Sequence, residues 1–258
     1  MNPDAPVIIG YDAVSPLGID MGTQWANALA GNSGIGELTR FQRTPDFPVQ
    51  IAGQTPDINH LPYPFLTARE QARWPSPIFK HALLTVQRAL ENAGLEITPE
   101  IAPRTAITYS SAVGGLDAVL EADRLLRAAD KLPTPATNPN ACINMVGGII
   151  SIMTKATGPI SATITACATG ATSLVMGALL LAQDQADVVI CGAVDFPLVA
   201  PIVAGFATMN GAYQPKADEP HGPPEAASRP FASHRRGFVV SEGAGCLLLA
   251  KKSFADHH

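Results

Sequence analysis

No CxxC pair occurs in this sequence, and no histidine stands at metal-ligand spacing from Cys142, Cys167, Cys191 or Cys246. That argues against zinc and leaves no metal to be expected. No basic segment followed by a long apolar one opens the chain at Met1 to Gly10, so no signal peptide is read. The longest apolar stretch, Leu174 to Ala182, stops at Gln183 and Asp184 and is too short to span a bilayer. No membrane association is expected. Charged residues are scarce, at 15%, and sum to −5, with a pI of about 5.6. An acidic balance of this kind argues against nucleic acid as a partner.

What is present is apolar. Hydrophobic residues make up 47% of 258, enough for a substantial core. Three of the four cysteines sit among small apolar residues, which suits reduced thiols in a cytoplasmic protein better than a disulfide framework. No internal repeat and no flexible linker is visible, and the chain reads as a single domain.

Short β-rich runs alternate with helical stretches. Strands are predicted at 7–10, 105–109, 160–165, 187–192 and 246–250, with a short one near 49–52. Helices are predicted at 23–30, where Trp25, Ala26 and Leu29 share a face, and at 76–93, closed by Gly94. Others are predicted at 116–129, where Asp117, Glu121 and Asp123 oppose Arg124 and Arg127, at 144–157, and after residue 167. The acidic, proline-rich stretch from Ala217 to Ser228 reads as an exposed loop. Strands that are continuously apolar rather than alternating imply a mostly parallel sheet covered on both faces, an α/β architecture.

Cys167 is the candidate with chemistry. It follows the β-branched run Ala162-Thr163-Ile164-Thr165 and precedes a long apolar helix, with Ala166, Ala168, Thr169 and Gly170 around it. A thiol in the first turn of a helix meets unpaired N–H groups and the positive end of the helix dipole, both of which favour the attacking thiolate. Small neighbours let a substrate approach. A buried structural cysteine fits the same local sequence, so both readings stay open on these residues alone. His60, His81, His221 and His234 lie outside any catalytic pattern, and Glu242 reads as structural.

Four ordered blocks carry a resemblance: 13–18 with 29–35, the motif Thr165-Ala166-Cys167-Ala168-Thr169-Gly170, the strand 186–193, and Ser228-Arg229-Pro230-Phe231 with 237–245. Through them the chain resembles the β-ketoacyl synthase family, condensing enzymes of fatty acid and polyketide synthesis with the thiolase fold. The resemblance implies an N-terminal half of that fold, a mostly parallel five-stranded sheet covered by helices. Residues 1–258 then read as the ketosynthase N-terminal domain, with the C-terminal half absent. In the family that half supplies two histidines, a lysine and a gating loop.

The implied activity is carrier-protein-dependent β-ketoacyl synthesis, in which an acyl-cysteine enzyme condenses decarboxylatively with a malonyl thioester. Cys167 is implied as nucleophile, with its own N–H as one oxyanion donor. Cys142, Ile143, Asn144 and Met145 match the stretch that lines the acyl channel. Cys142 stands where a bulky aliphatic gate is common, which implies room for longer or wider chains. Arg69 and Arg73 fall where relatives meet the acidic acyl carrier protein; a solvated helix end fits them equally. No cofactor is implied beyond the phosphopantetheine that carries the substrates. The implied partners are that carrier protein and a homodimeric or heterodimeric ketosynthase-like chain, paired along 160–165. The alternative is a short, non-catalytic subunit of the chain-length-factor type. A thiolase or free-coenzyme-A synthase fits the 237–245 block less well. Asp195 stands where relatives usually have Glu, and Ala232 and Arg236 where they usually have Asp.

Overall fold

A computed structural model describes residues 5–129, 132–214 and 222–257. The part of the expected loop up to residue 221, with His221, lies outside the described residues. In chain order these form β1 (Pro6–Val14), α1 (Met21–Leu29), β2 (Ile35–Glu37), β3 (Ile51–Gly53), α2 (Ala68–Gln71) and α3 (Pro77–Ala93). Then come β4 (Thr105–Ser110), α4 (Leu116–Ala129), α5 (Thr137–Ala141), α6 (Met145–Thr154) and α7 (Thr169–Ala182). The last are β5 (Val188–Asp195), α8 (Ala200–Thr208), β6 (Gly243–Lys251) and α9 (Lys252–Ala255).

Two compact units result. One takes Met1–Ala13, Asn59–Asp195 and Ala244–His258; the other takes Val14–Ile58 and Phe196–Gly243. Neither is continuous, so no linker composition marks their boundary.

The first unit is built on a sheet of order β1-β6-β5-β4. β4 and β5 run parallel, from Thr105 opposite Val188 to Ser110 opposite Ala193. β6 runs against both its neighbours. Its Lys251 N–H bonds the Asp187 carbonyl at the start of β5, and the Lys252 N–H bonds the Ala5 carbonyl before β1. The mostly parallel expectation is thus corrected to a mixed sheet. A strand buried on both faces has the same apolar run in either direction, so its sequence carries no sign of the reversal.

The expected fifth strand, 160–165, is also corrected. It shrinks to one parallel bridge between Ile160 and Ile107, flanked by bonds from Ile107 N–H to the Pro159 carbonyl and from Ser161 N–H to the Ile107 carbonyl. Ile160 and Ile164 are exposed. β-Branched residues hold a strand through packing, and here nothing covers their outer side.

Alternation along β4 distributes the covering helices. Thr108 faces α7 and donates its hydroxyl to the Ser173 carbonyl at 2.9 Å. On that side Ala106, Leu180, Leu181, Val189, Cys191 and Leu249 form one cluster. Tyr109 faces the other way, its hydroxyl 3.2 Å from that of Thr85 on α3. α6 packs beside it, with Gly147 against the Tyr109 carbonyl and the Ile107 side chain. Ile107 and Ile190 are fully buried, each contributing about 1.5–3 kcal/mol by leaving water. α3 begins with Pro77 in its first turn and ends at Gly94 with φ 63°, a conformation glycine adopts without steric cost.

The second unit pairs β2 and β3 antiparallel. Its core gathers Leu38, Val49, Ala52, Leu198, Val203, Ala207, Ala212 and Val240. Arg40 grips the buried Glu242 through Nε and Nη2 at 2.7–3.0 Å, and the Thr55 N–H donates to the same carboxylate at 3.2 Å. Glu242 is therefore a structural ion-pair partner. α1 forms as the spacing of Trp25, Ala26 and Leu29 predicts, yet buries none of its residues.

Candidate active site

The first unit gathers its chemistry at the carboxyl ends of β4 and β5. Cys167 sits in a single 3-10 turn, Ala166–Ala168, immediately before α7. The sequence placed it in the first helical turn, so the thiol stands one turn earlier than predicted. Ala166 has φ 50°, a left-handed backbone that costs a residue bearing a Cβ about 1–3 kcal/mol.

Thr169 holds that strained turn. Its hydroxyl donates to the Ala166 carbonyl at 2.8 Å and accepts the Thr165 N–H at 3.1 Å. The Thr165 and Thr172 hydroxyls meet at 2.7 Å, and the Ala168 N–H bonds the Thr165 carbonyl. Thr169 is buried while Cys167 is exposed. A sharp turn between strand region and helix is the geometry that projects a nucleophile into solvent. α7 is anchored beneath it, since Ser173 accepts the Gly192 N–H from β5 at 3.0 Å. Gly170 lies against Ala193 near the end of β5. The thiol thus stands outside the carboxyl edge of a parallel strand pair, the position at which open α/β sheets bind ligands.

The residues expected to line an acyl channel, 142–145, reach the same edge from the other face. Cys142 caps the C-terminus of α5 and Asn144 precedes α6; both are exposed. Ile143 and Met145 are half-buried. The turn after β4 packs on this segment. Gly114 has φ 68°, and a Cβ there would meet the Ala141 carbonyl at 2.9 Å and Ile143 Cγ2 at 3.0 Å. Asp195, the last residue of β5, holds that turn: its Oδ1 accepts the Ser111 hydroxyl and the Ala112 and Val113 N–H groups at 2.8–3.0 Å. Desolvation raises the Asp195 pKa above the usual carboxylate value, against these hydrogen bonds. Neither Asp195 nor Ser111 has a role that local sequence reveals; Ser110-Ser111 and Gly114-Gly115 after a strand are the available signal.

Arg69 on α2 and Arg73 just beyond it are exposed. The Arg73 carbonyl accepts the Asn140 side-chain amide at 2.6 Å, which ties this surface to α5, just before residues 142–145. The other two thiols are interior. Burial pushes the Cys191 pKa up to about 12 and that of Cys246 well above its ordinary value, so both are inert. His81 is buried in α3 with Nδ1 2.8 Å from the Pro77 carbonyl. Among the described residues no group of three His, Cys, Asp or Glu side chains stands ready to hold a metal, and no helix is long and apolar enough to cross a membrane.

Residues 5–255 match the N-terminal domain of β-ketoacyl synthases. The chain belongs to that family. It is 34% identical over 251 residues to 3-oxoacyl-[acyl-carrier-protein] synthase 2 of Coxiella burnetii, covering 96% of this chain and 58% of that protein. With the synthase 2 of Staphylococcus aureus it shares 33% over 249 residues, covering 94% and 58%. This ketosynthase chain therefore spans under three fifths of these curated relatives. In fold it is similar to a β-ketoacyl synthase from Burkholderia phymatum STM815, with a TM-score of 0.83 at 23% identity over 98% of this chain and 60% of that one. It is also similar to the ishigamide ketosynthase/chain length factor, with a TM-score of 0.80 at 21% identity over 98% and 60%.

Proposed function

We propose that this ketosynthase domain serves a β-ketoacyl synthase that takes its substrates from acyl carrier protein, in fatty acid or polyketide synthesis, and that Cys167 is its acyl acceptor. The observation that carries the reading is the exposed thiol on the strained 166–168 turn, at the carboxyl edge of β4 and β5. In the step assigned to this chain, the Cys167 sulfur attacks the acyl thioester of a phosphopantetheine arm. A bond forms from Sγ to the acyl carbon, the carbon–sulfur bond to pantetheine breaks, and the cysteine proton ends on the released thiol. The Cys167 N–H is one donor to the transient oxyanion. Residues 142–145 receive the acyl chain, and no cofactor takes part beyond the carrier's arm. Decarboxylation and condensation fall to groups that the family carries in its second half.

Arg69 and Arg73 offer two exposed cations to an acidic carrier protein. Exposed Ile160 and Ile164, on an edge with one bridge, support pairing with a second ketosynthase-like chain. Reduced, widely spaced thiols suit the cytoplasm.

A chain-length-factor-type subunit is the second reading, favoured by the ketosynthase/chain length factor among the similar solved structures. Incubation with acyl-loaded carrier protein separates the two. An acyl adduct on Cys167 supports catalysis; its absence when a complete ketosynthase partner is present supports the measuring subunit.

A further inference from the structure

We propose that Asp195 is a positioning residue that sets acyl-length preference, by holding the turn 111–114 against residues 141–143, at the start of the segment proposed to receive the acyl chain. The inference rests on the acyl-transfer reading above and deepens it. One carboxylate oxygen, Oδ1, accepts three donors from the turn: the Ser111 hydroxyl at 2.8 Å, the Ala112 N–H at 3.0 Å and the Val113 N–H at 2.9 Å. The Ser111 hydroxyl in turn accepts the Gly114 N–H at 2.8 Å, which closes the turn on itself. Ser111 is fully buried.

The turn has no slack on its far side. A Cβ at Gly114 would already press on the Ala141 carbonyl and the Ile143 side chain, and one at Gly115 would strike the Asn140 carbonyl. The turn is thus clamped between β5 and the segment proposed to receive the acyl chain. A displacement of the carboxylate passes through three hydrogen bonds to the wall formed by residues 141–143. One extra methylene at position 195 adds one carbon–carbon bond, about 1.5 Å, to the reach of the clamp. Packed interiors do not absorb such a change by compression. The Asp195 side chain itself need touch no substrate; it acts through the turn.

The test uses the purified chain and three variants, Asp195→Glu, Asp195→Asn and Ser111→Ala. Intact mass follows acylation of Cys167 by butanoyl- and dodecanoyl-pantetheine, and alkylation by iodoacetamide reports the thiol alone. Asp195→Glu and Ser111→Ala should each change the dodecanoyl-to-butanoyl rate ratio by about tenfold, the scale of one methylene in a shaped pocket. Asp195→Asn keeps an oxygen acceptor in place and should retain the wild-type ratio. Alkylation should proceed equally in all four proteins. If Asp195→Glu fails to fold, Ser111→Ala, which removes only a hydroxyl, carries the comparison. An unchanged ratio, or a change in alkylation of the same size as that in acylation, overturns the inference and leaves the acyl-transfer reading standing. A wild-type chain that takes neither acyl group overturns that reading and the inference with it.

Discussion

The two ends of the β4–β5 pair are held by different chemistry. At the amino ends the clamp is ionic. Arg104, just before β4, donates to Asp187, just before β5, through Nε at 2.9 Å and Nη2 at 2.7 Å. Asp184 and Lys251 complete the network, with Lys251 Nζ 3.0 Å from Asp187. At the carboxyl ends the ties are the hydroxyls of Thr169 and Ser111 and the Asp195 carboxylate, which accepts the Ala112 and Val113 N–H groups. The first end has charge satisfied by charge, and its one left-handed residue, Asp184 at φ 56°, carries a carboxylate already paired with Arg104 and Lys251. The second holds a left-handed Ala166, an exposed thiol and a carboxylate raised in pKa by burial. What separates the ends is the sign of the perturbation and what is exposed: at the amino end cations hold the Asp187 carboxyl down, while at the carboxyl end burial pushes Asp195 up beside an exposed thiol.

Substitutions at the two ends should therefore separate reactivity from stability. Cys167→Ala should abolish acyl-adduct formation outright while shifting the urea unfolding free energy by less than about 0.5 kcal/mol, because the side chain is exposed. Thr169→Val keeps the shape of a buried residue and removes the hydroxyl bridging Thr165 and Ala166. It should cost about 1–3 kcal/mol in urea unfolding and slow Cys167 acylation, coupling both readouts at one residue. If residues 142–145 receive the acyl chain as proposed, Cys142→Phe should turn preference toward shorter acyl chains by about tenfold, read as a rate ratio between thioesters of two lengths. Unaltered preference would remove residue 142 from the channel.

At the amino end the effect should be smaller and confined to stability. Hydrogen bonds from Arg104 hold Asp187 near a pKa of about 2, below its ordinary 3.8. A depressed carboxylate stabilises the fold above the ordinary value, and that contribution fades as pH falls from about 4 through about 2. Asp187→Asn should lower stability at neutral pH by about 1 kcal/mol and flatten the loss over that acid range, with Cys167 acylation at neutral pH unchanged. Urea midpoints across the acid range check it. A slowed acylation in this variant would erase the distinction between the two ends.

Much of the amino end and the core was legible. β4 and α3 fall within a residue or so of their predicted bounds, because one is a continuous β-rich run and the other a 3.6-residue pattern closed by Gly94, whereas the helix predicted at 144–157 stops at Thr154 with Lys155 as its left-handed cap. The charges on α4 pair as their spacing implies, Arg124 with Glu121 and Arg127 with Asp123. Cys167 was legible as a candidate because its small neighbours and following helix are local features. Its left-handed neighbour was not, since alanine gives no sign of positive φ. The Asp195–Ser111 tie spans 84 residues and exists only once β4 and β5 pair in register. The overread strand at 160–165 has the right β-branched composition and no covering surface, a property of packing rather than of sequence.

The central claim is that Cys167 accepts the acyl group. Its most direct test is peptide mass mapping of this ketosynthase chain after incubation with acyl-loaded carrier protein. The account predicts one added acyl group, on the peptide containing Cys167 and released by hydroxylamine. An unmodified chain, or an adduct on Cys142 in its place, would contradict it.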